Sequence, residues 1–126
     1  MLNQKKLDTK LLSLCETVFD SGSGLSCPKN TLTTICSHTF AEGSWLIVSQ
    51  YTPTSGGSGT ANAAQNRIIK DGVILSDTKG LSDTSINLVN VCVLENANNN
   101  LIKFEAYQAT ANNQTLSWSF YAIRIA

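Results

Sequence analysis

Leu116-Ser117-Trp118-Ser119-Phe120-Tyr121-Ala122-Ile123-Arg124-Ile125 is the stretch that decides the fold. Side chains alternate along a strand, so Leu116, Trp118 and Phe120 share one face while Tyr121, Ile123 and Ile125 take the opposite one. Both faces are apolar. Trp45–Gln50 and Ile86–Leu94 read the same way. Within Ser44–Thr52, Trp45, Ile47, Ser49 and Tyr51 lie on one side, with Leu46, Val48 and Gln50 on the other. Further on, Val91 and Val93 share a face, and Cys92 and Leu94 share its reverse. A strand in a two-sheet sandwich needs only one apolar face, because the other meets water. No helical pattern follows that would cover the second, so another copy of the same chain is expected there. Alternation alone does not say which face is which. Trp45, Ile47, Val89, Val91, Val93, Trp118, Phe120, Tyr121 and Ile123 are therefore assigned jointly to sandwich core or the interface with another copy.

Outward from these segments the chain reads as short strands and turns. Leu101–Gln108 alternates cleanly, with Ile102, Phe104 and Ala106 on one side and Lys103, Glu105 and Tyr107 on the other. Thr31–His38 is rich in β-branched residues. Asn66–Lys70 and Val73–Ser76 flank Asp71-Gly72, the dipeptide favoured in a two-residue type I′ hairpin. Segments 53–65, 77–83 and 109–114 read as Ser/Gly/Asn loops. Many short strands with no interior helix point to an all-β, two-sheet sandwich.

The first twenty residues differ. Leu7, Leu11, Leu14 and Val18 are spaced by four, three and four, the rhythm of a coiled-coil seam. Residues 1–20 are expected to form a stalk remnant or short helix ahead of a head domain at 21–126. A first strand is the alternative, since Glu16-Thr17-Val18-Phe19 suits one. Asp20-Ser21-Gly22-Ser23-Gly24 is expected to break whatever precedes it.

With 126 residues, nine basic and nine acidic side chains and no formal net charge, the chain has no electrostatic footprint for nucleic acid. No run is long enough to span a bilayer, and the polar Met1–Lys10 does not resemble a signal peptide. A surface of Ser, Thr, Asn and Gln suits sugars or protein receptors better than phosphates. Cys15, Cys27, Cys36 and Cys92 show no metal-ligand spacing. Cys36 and Cys92 sit at apolar strand positions, so reduced, buried thiols are expected over two disulfides.

Phe40-Ala41-Glu42-Gly43-Ser44-Trp45-Leu46-Ile47 resembles the step of the C1q/TNF-like jelly roll in which an aromatic follows a turn glycine at the start of an inner-sheet strand. Phe120-Tyr121-Ala122-Ile123-Arg124-Ile125-Ala126 is similar to that fold's closing strand. The resemblance covers about Thr31–Ala126. It implies an inner sheet holding Trp45–Tyr51, Thr84–Leu94 and Thr115–Ile125, packed on two sister subunits around a threefold axis at a trimer interface, with Leu101–Gln108 in the outer sheet. The Leu-rich lead-in, the Val18-Phe19-Asp20-Ser21-Gly22-Ser23-Gly24 run and the Ala122-Ile123-Arg124-Ile125-Ala126 ending also resemble head modules of phage and prophage tail-fibre or baseplate proteins. That likeness implies a homotrimeric receptor-binding domain of a virion tail appendage, made in the bacterial cytoplasm and contacting a host cell-surface glycan or protein. A secreted, extracellular C1q/TNF-like module and a purely structural trimerisation knob are the alternatives.

Motifs for chemistry are lacking. The single histidine, His38, has no sequence-adjacent nucleophile or ligand set and is expected as a polar edge-strand residue. Asp71, Asp77 and Asp83 are too few and too spread for a calcium site, which needs six to eight oxygens. No enzyme, metal or cofactor is expected. Tyr51 and Tyr107 are the candidate ligand-binding residues, because tyrosine offers a sugar ring a flat apolar face with a polar tip.

Overall fold

The computed structural model describes residues 16–56, 60–84, 86–110 and 112–126. Among them lie eight strands and no helix: β1 (Thr17–Cys27), β2 (Thr31–Phe40), β3 (Gly43–Ser55), β4 (Thr60–Lys70), β5 (Val73–Ser82), β6 (Leu88–Ala97), β7 (Asn100–Gln108) and β8 (Gln114–Arg124). They form two four-stranded antiparallel sheets, ordered β1-β8-β3-β6 and β2-β7-β4-β5. Only β4 and β5 are consecutive neighbours within a sheet. Every other connection between the described strands crosses the sandwich, which makes this an eight-stranded jelly roll.

Local chemistry explains the turning points. The β4–β5 hairpin pairs Lys70 with Val73, so its loop is Asp71-Gly72 alone. Both residues have positive φ, 47° and 85°, as a type I′ turn demands. Gly43, where the chain enters β3, has φ 130°. A Cβ there would come within 2.7 Å of the Ala126 carbonyl, so the resemblance motif has its glycine for a steric reason.

The core lies between the sheets. Trp45, Ile47 and Tyr51 from β3, Leu116, Phe120 and Ala122 from β8, and Leu88 and Leu94 from β6 meet Ile68 of β4 and Ile102, Phe104 and Ala106 of β7. Phe40 and Trp45 meet edge-on at 5.0 Å, and Trp45 Nε1 donates to the Ala41 carbonyl at 3.2 Å. One stitch in this core is polar. Ser49 Oγ donates to Asn66 Oδ1 (2.8 Å), and Asn66 Nδ2 donates to the carbonyls of Ser49 (2.9 Å) and Leu88 (3.1 Å). Asn90 Nδ2 donates to the Asn66 carbonyl at 3.1 Å and Ser76 Oγ to Asn90 Oδ1 at 2.7 Å. Asn66 thus ties β4 of one sheet to β3 and β6 of the other through satisfied buried groups.

Several sequence expectations are corrected. Asp20–Gly24 does not end a preceding segment: β1 runs through it, accommodating the glycines with a register shift between Gly22 and Leu25. Residues 17–20 belong to that strand, as the first-strand alternative had it rather than the stalk, and residues 1–15, with the stalk expected there, lie outside the described residues. Segment 77–83 is largely strand, because β5 is an edge that needs few apolar side chains; Asp77 lies opposite Arg67. Strand β3 continues through Pro53 to Ser55, and β4 is already under way at Thr60, so little of 53–65 is loop. Strand β6 starts at Leu88 rather than Thr84.

Candidate functional site

Strands β3, β6 and β8 share one sheet, and the fold separates their two apolar faces. Trp45, Ile47, Leu94, Leu116 and Phe120 are buried between the sheets, with Trp118 packed partly against them. Val89, Val91, Val93, Tyr121 and Ile123 lie on the reverse, turned away from the core.

Register aligns that outward face into rows. Phe19 of β1 pairs with Tyr121 of β8, Tyr121 with Val48 of β3, and Val48 with Val91 of β6. One apolar row thus crosses all four strands, about 14 Å at the ~4.8 Å spacing of neighbouring strands. A parallel row runs Thr17–Ile123–Leu46–Val93, and a third runs Ser21–Ser119–Gln50–Val89. No residue in the three rows is charged. Phe19 is 67% exposed and Val91 57%, while Val93, Val89 and Tyr121 also stand open. Scattered apolar surface residues are ordinary, but a contiguous array of this kind marks an interaction site.

The face is graded. Beyond Ser119 and Gln50 it becomes a shallow groove lined by Gln50, Thr52, Asn87, Ser117, Trp118 and Ser119. Its polar groups form a chain. Thr52 Oγ1 donates to Asn87 Oδ1 (3.0 Å), Asn87 Nδ2 to Gln50 Oε1 (2.7 Å), and Gln50 Nε2 to Ser119 Oγ (2.6 Å). At the opposite rim Arg124 Nη1 pairs with Glu16 at 3.4 Å, an exposed ion pair worth little in stability.

The two tyrosines proposed for ligand stacking part company. Tyr51 is 1% exposed, and its hydroxyl donates to the Gln65 carbonyl at 2.9 Å. Burial first, and the nearby Cys27 second, push its hydroxyl far above the usual tyrosine range. It is a core residue with no ring face to offer. Even position parity with Trp45 and Ile47 carried that signal, since Tyr51 lies on their side of β3. Tyr107 is half-buried on β7, in the other sheet from the apolar face.

Cys27, Cys36 and Cys92 carry free thiols. Burial pushes the Cys92 thiol up to about 11; burial and then the Asp20 carboxylate push Cys36 up to about 12. These are poor nucleophiles. His38, expected as a polar edge-strand residue, lies on the edge strand β2, pairs its Nε2 with Asp20 Oδ2 at 3.1 Å and stacks on Phe120 with ring centres 5.3 Å apart.

No protein family's sequence profile matches the chain, and no curated protein matches it. Solved structures do resemble it. The VP2 subviral particle of infectious bursal disease virus matches with TM-score 0.59 and 17% identity over 86% of this chain and 32% of that one. Dimeric latent PorU from Porphyromonas gingivalis matches with TM-score 0.53 and 13% identity, over 87% of this chain and 12% of its own. Rabbit GITRL gives TM-score 0.48 and 12% identity, covering 77% and 78%. This chain therefore spans about a third of the VP2 chain it resembles and a smaller share of PorU. At such identities the likeness is one of fold.

Proposed function

We propose that the chain is a non-catalytic binding domain that works as a homotrimer, its copies meeting on the outward face of the β1-β8-β3-β6 sheet. The observation that carries this reading is the uncharged row Phe19–Tyr121–Val48–Val91. A neutral apolar face can pack against a neighbouring copy without burying an unpaired charge. Fully burying a side chain of valine or phenylalanine size stabilises by about 1.5–3 kcal/mol, and several such side chains stand open here. Threefold closure is taken from the sequence resemblance, whose inner sheet corresponds to this one.

In this proposal the trimer is the receptor-binding head of a phage or prophage tail appendage, and its ligand is a host cell-surface glycan or protein. The polar groove of Thr52, Asn87, Gln50 and Ser119 and the turns between strands supply hydrogen-bonding rather than charged contacts. Three weak sites presented together raise avidity through effective concentration.

Glycan-array and whole-cell binding of the wild-type protein, set beside a face variant such as Val91→Asp, tests the proposal. Saturable binding that falls steeply in the variant supports a multivalent head. Absence of saturable binding to any glycan or cell would leave a structural knob and overturn the receptor role.

A further inference from the structure

We propose that Asp20, Cys36 and His38 form a binding site for a divalent transition-metal cation of the zinc type. The proposal does not depend on the oligomeric reading. Asp20 comes from β1, at the edge of one sheet, and Cys36 and His38 come from β2, at the edge of the other. Two features of register bring them together. Asp20 pairs with the inward-facing Phe120 on β8, so its carboxylate turns toward the opening of the sandwich. On β2 a register shift between Thr34 and Cys36 puts Cys36 opposite Phe104 and His38 opposite Ile102, both core residues, so both donors turn the same way. Residues two apart on a strand share a face, which makes Cys36-Ser37-His38 a two-donor clip.

Donor atoms of all three side chains lie within 4.8 Å of one another. Two ligands bound at about 2.0–2.1 Å to a tetrahedral zinc ion sit about 3.3 Å apart. His38 Nε2 and Asp20 Oδ2, at 3.1 Å, already have nearly that separation. A thiolate bonded at about 2.3 Å sits about 3.6 Å from the other donors, a closing-in from the 4.8 Å within which the three donors already lie. The Phe120 ring stacked beneath the imidazole holds its plane. One sulfur, one nitrogen and one oxygen donor suit zinc or cobalt(II) and not calcium or magnesium, which prefer oxygens alone. His38 and Asp20 keep 27% and 39% of their side-chain surface open, leaving a solvent path and a fourth position for water. On binding, the thiol proton leaves to solvent and sulfur coordinates as thiolate.

The test is a cobalt(II) titration of the full chain, reduced and stripped with chelator. Wild-type protein is expected to develop a near-ultraviolet sulfur-to-cobalt charge-transfer band and visible bands of a tetrahedral ion, saturating at one equivalent. Cys36→Ser should abolish the charge-transfer band, His38→Gln and Asp20→Asn should weaken binding at least tenfold, and Cys92→Ser should leave both unchanged. Because His38 is the only histidine, its imidazole NMR signals in the unmutated protein report zinc coordination directly, whatever the variants' folding. An imidazole unmoved by zinc, or a charge-transfer band that survives Cys36→Ser, would overturn the site.

Discussion

Val48 of β3 lies directly opposite Val91 of β6 on the outward face of the sheet, and its chain neighbour Ile47 is wholly buried on the other side. One residue step therefore separates the core from the apolar outward face of the sheet. Charging the two positions should have different consequences. Ile47→Asp buries an unpaired carboxylate and is expected to unfold the chain, since that cost rivals total stability of about 5–15 kcal/mol. Val91→Asp should leave far-ultraviolet circular dichroism native and yield a soluble, less stable monomer. Two variants that unfold alike, or a Val91→Asp protein that still assembles, would contradict the two-sided burial.

The polar stitch makes a second prediction. Asn66→Ala removes the acceptor of the Ser49 hydroxyl and the donor to the Ser49 and Leu88 carbonyls, all inside the core. Leaving buried groups unsatisfied costs about 1–3 kcal/mol each. Urea unfolding should show a loss of about 2–4 kcal/mol, larger than that of Thr52→Ala in the exposed groove. Equal losses would mean that Asn66 does not hold the sheets together.

Stability should depend on pH through Asp71. Asn100 Nδ2 donates to its Oδ2 (2.6 Å) and the Leu101 amide to its Oδ1 (2.9 Å), tying the β4–β5 turn to the start of β7. These bonds, the Asn100 one foremost, hold its carboxyl below the ordinary 3.8. The folded state thus binds the proton more weakly than the unfolded one. The contribution is complete above the unfolded value and fades as pH falls through the lower folded value. Thermal melts should show wild type more stable than Asp71→Asn near neutrality, with the gap closing below about pH 4. A gap independent of pH would refute the assignment.

Thiol chemistry gives a fourth. With the Cys36 and Cys92 thiols pushed up to about 12 and 11 and that of Cys27 also raised, few thiolates exist at pH 8. Iodoacetamide should label these three sites far more slowly in the folded protein than in urea, as read by peptide mass spectrometry. Rapid labelling of Cys36 in the native chain would show its environment to be misjudged.

Alternation made much of the architecture legible. Val91 and Leu94 differ in parity, which sets them on opposite faces; the fold then shows Leu94 in the core and Val91 outside. The Asp71-Gly72 hairpin was equally plain, because few residue pairs accept two successive positive φ angles. Edge strands were not. Asp77, Thr78 and Lys79 look like loop residues, yet backbone pairing to β4 needs nothing from their side chains. Tyr51 was read by residue type as a sugar platform, although its parity with Trp45 set it on a face expected to be covered, and the structure buries it. The meeting of Asp20 with Cys36 and His38 had no local signal, since it arises where the edges of two sheets come together and where a register shift re-aims β2.

The mass of the protein in solution tests the central claim most directly. Sedimentation equilibrium at micromolar concentration should give three times the 13.6 kDa of one chain. A stable single-chain mass, with Phe19, Val48 and Val91 left facing water, would contradict the account.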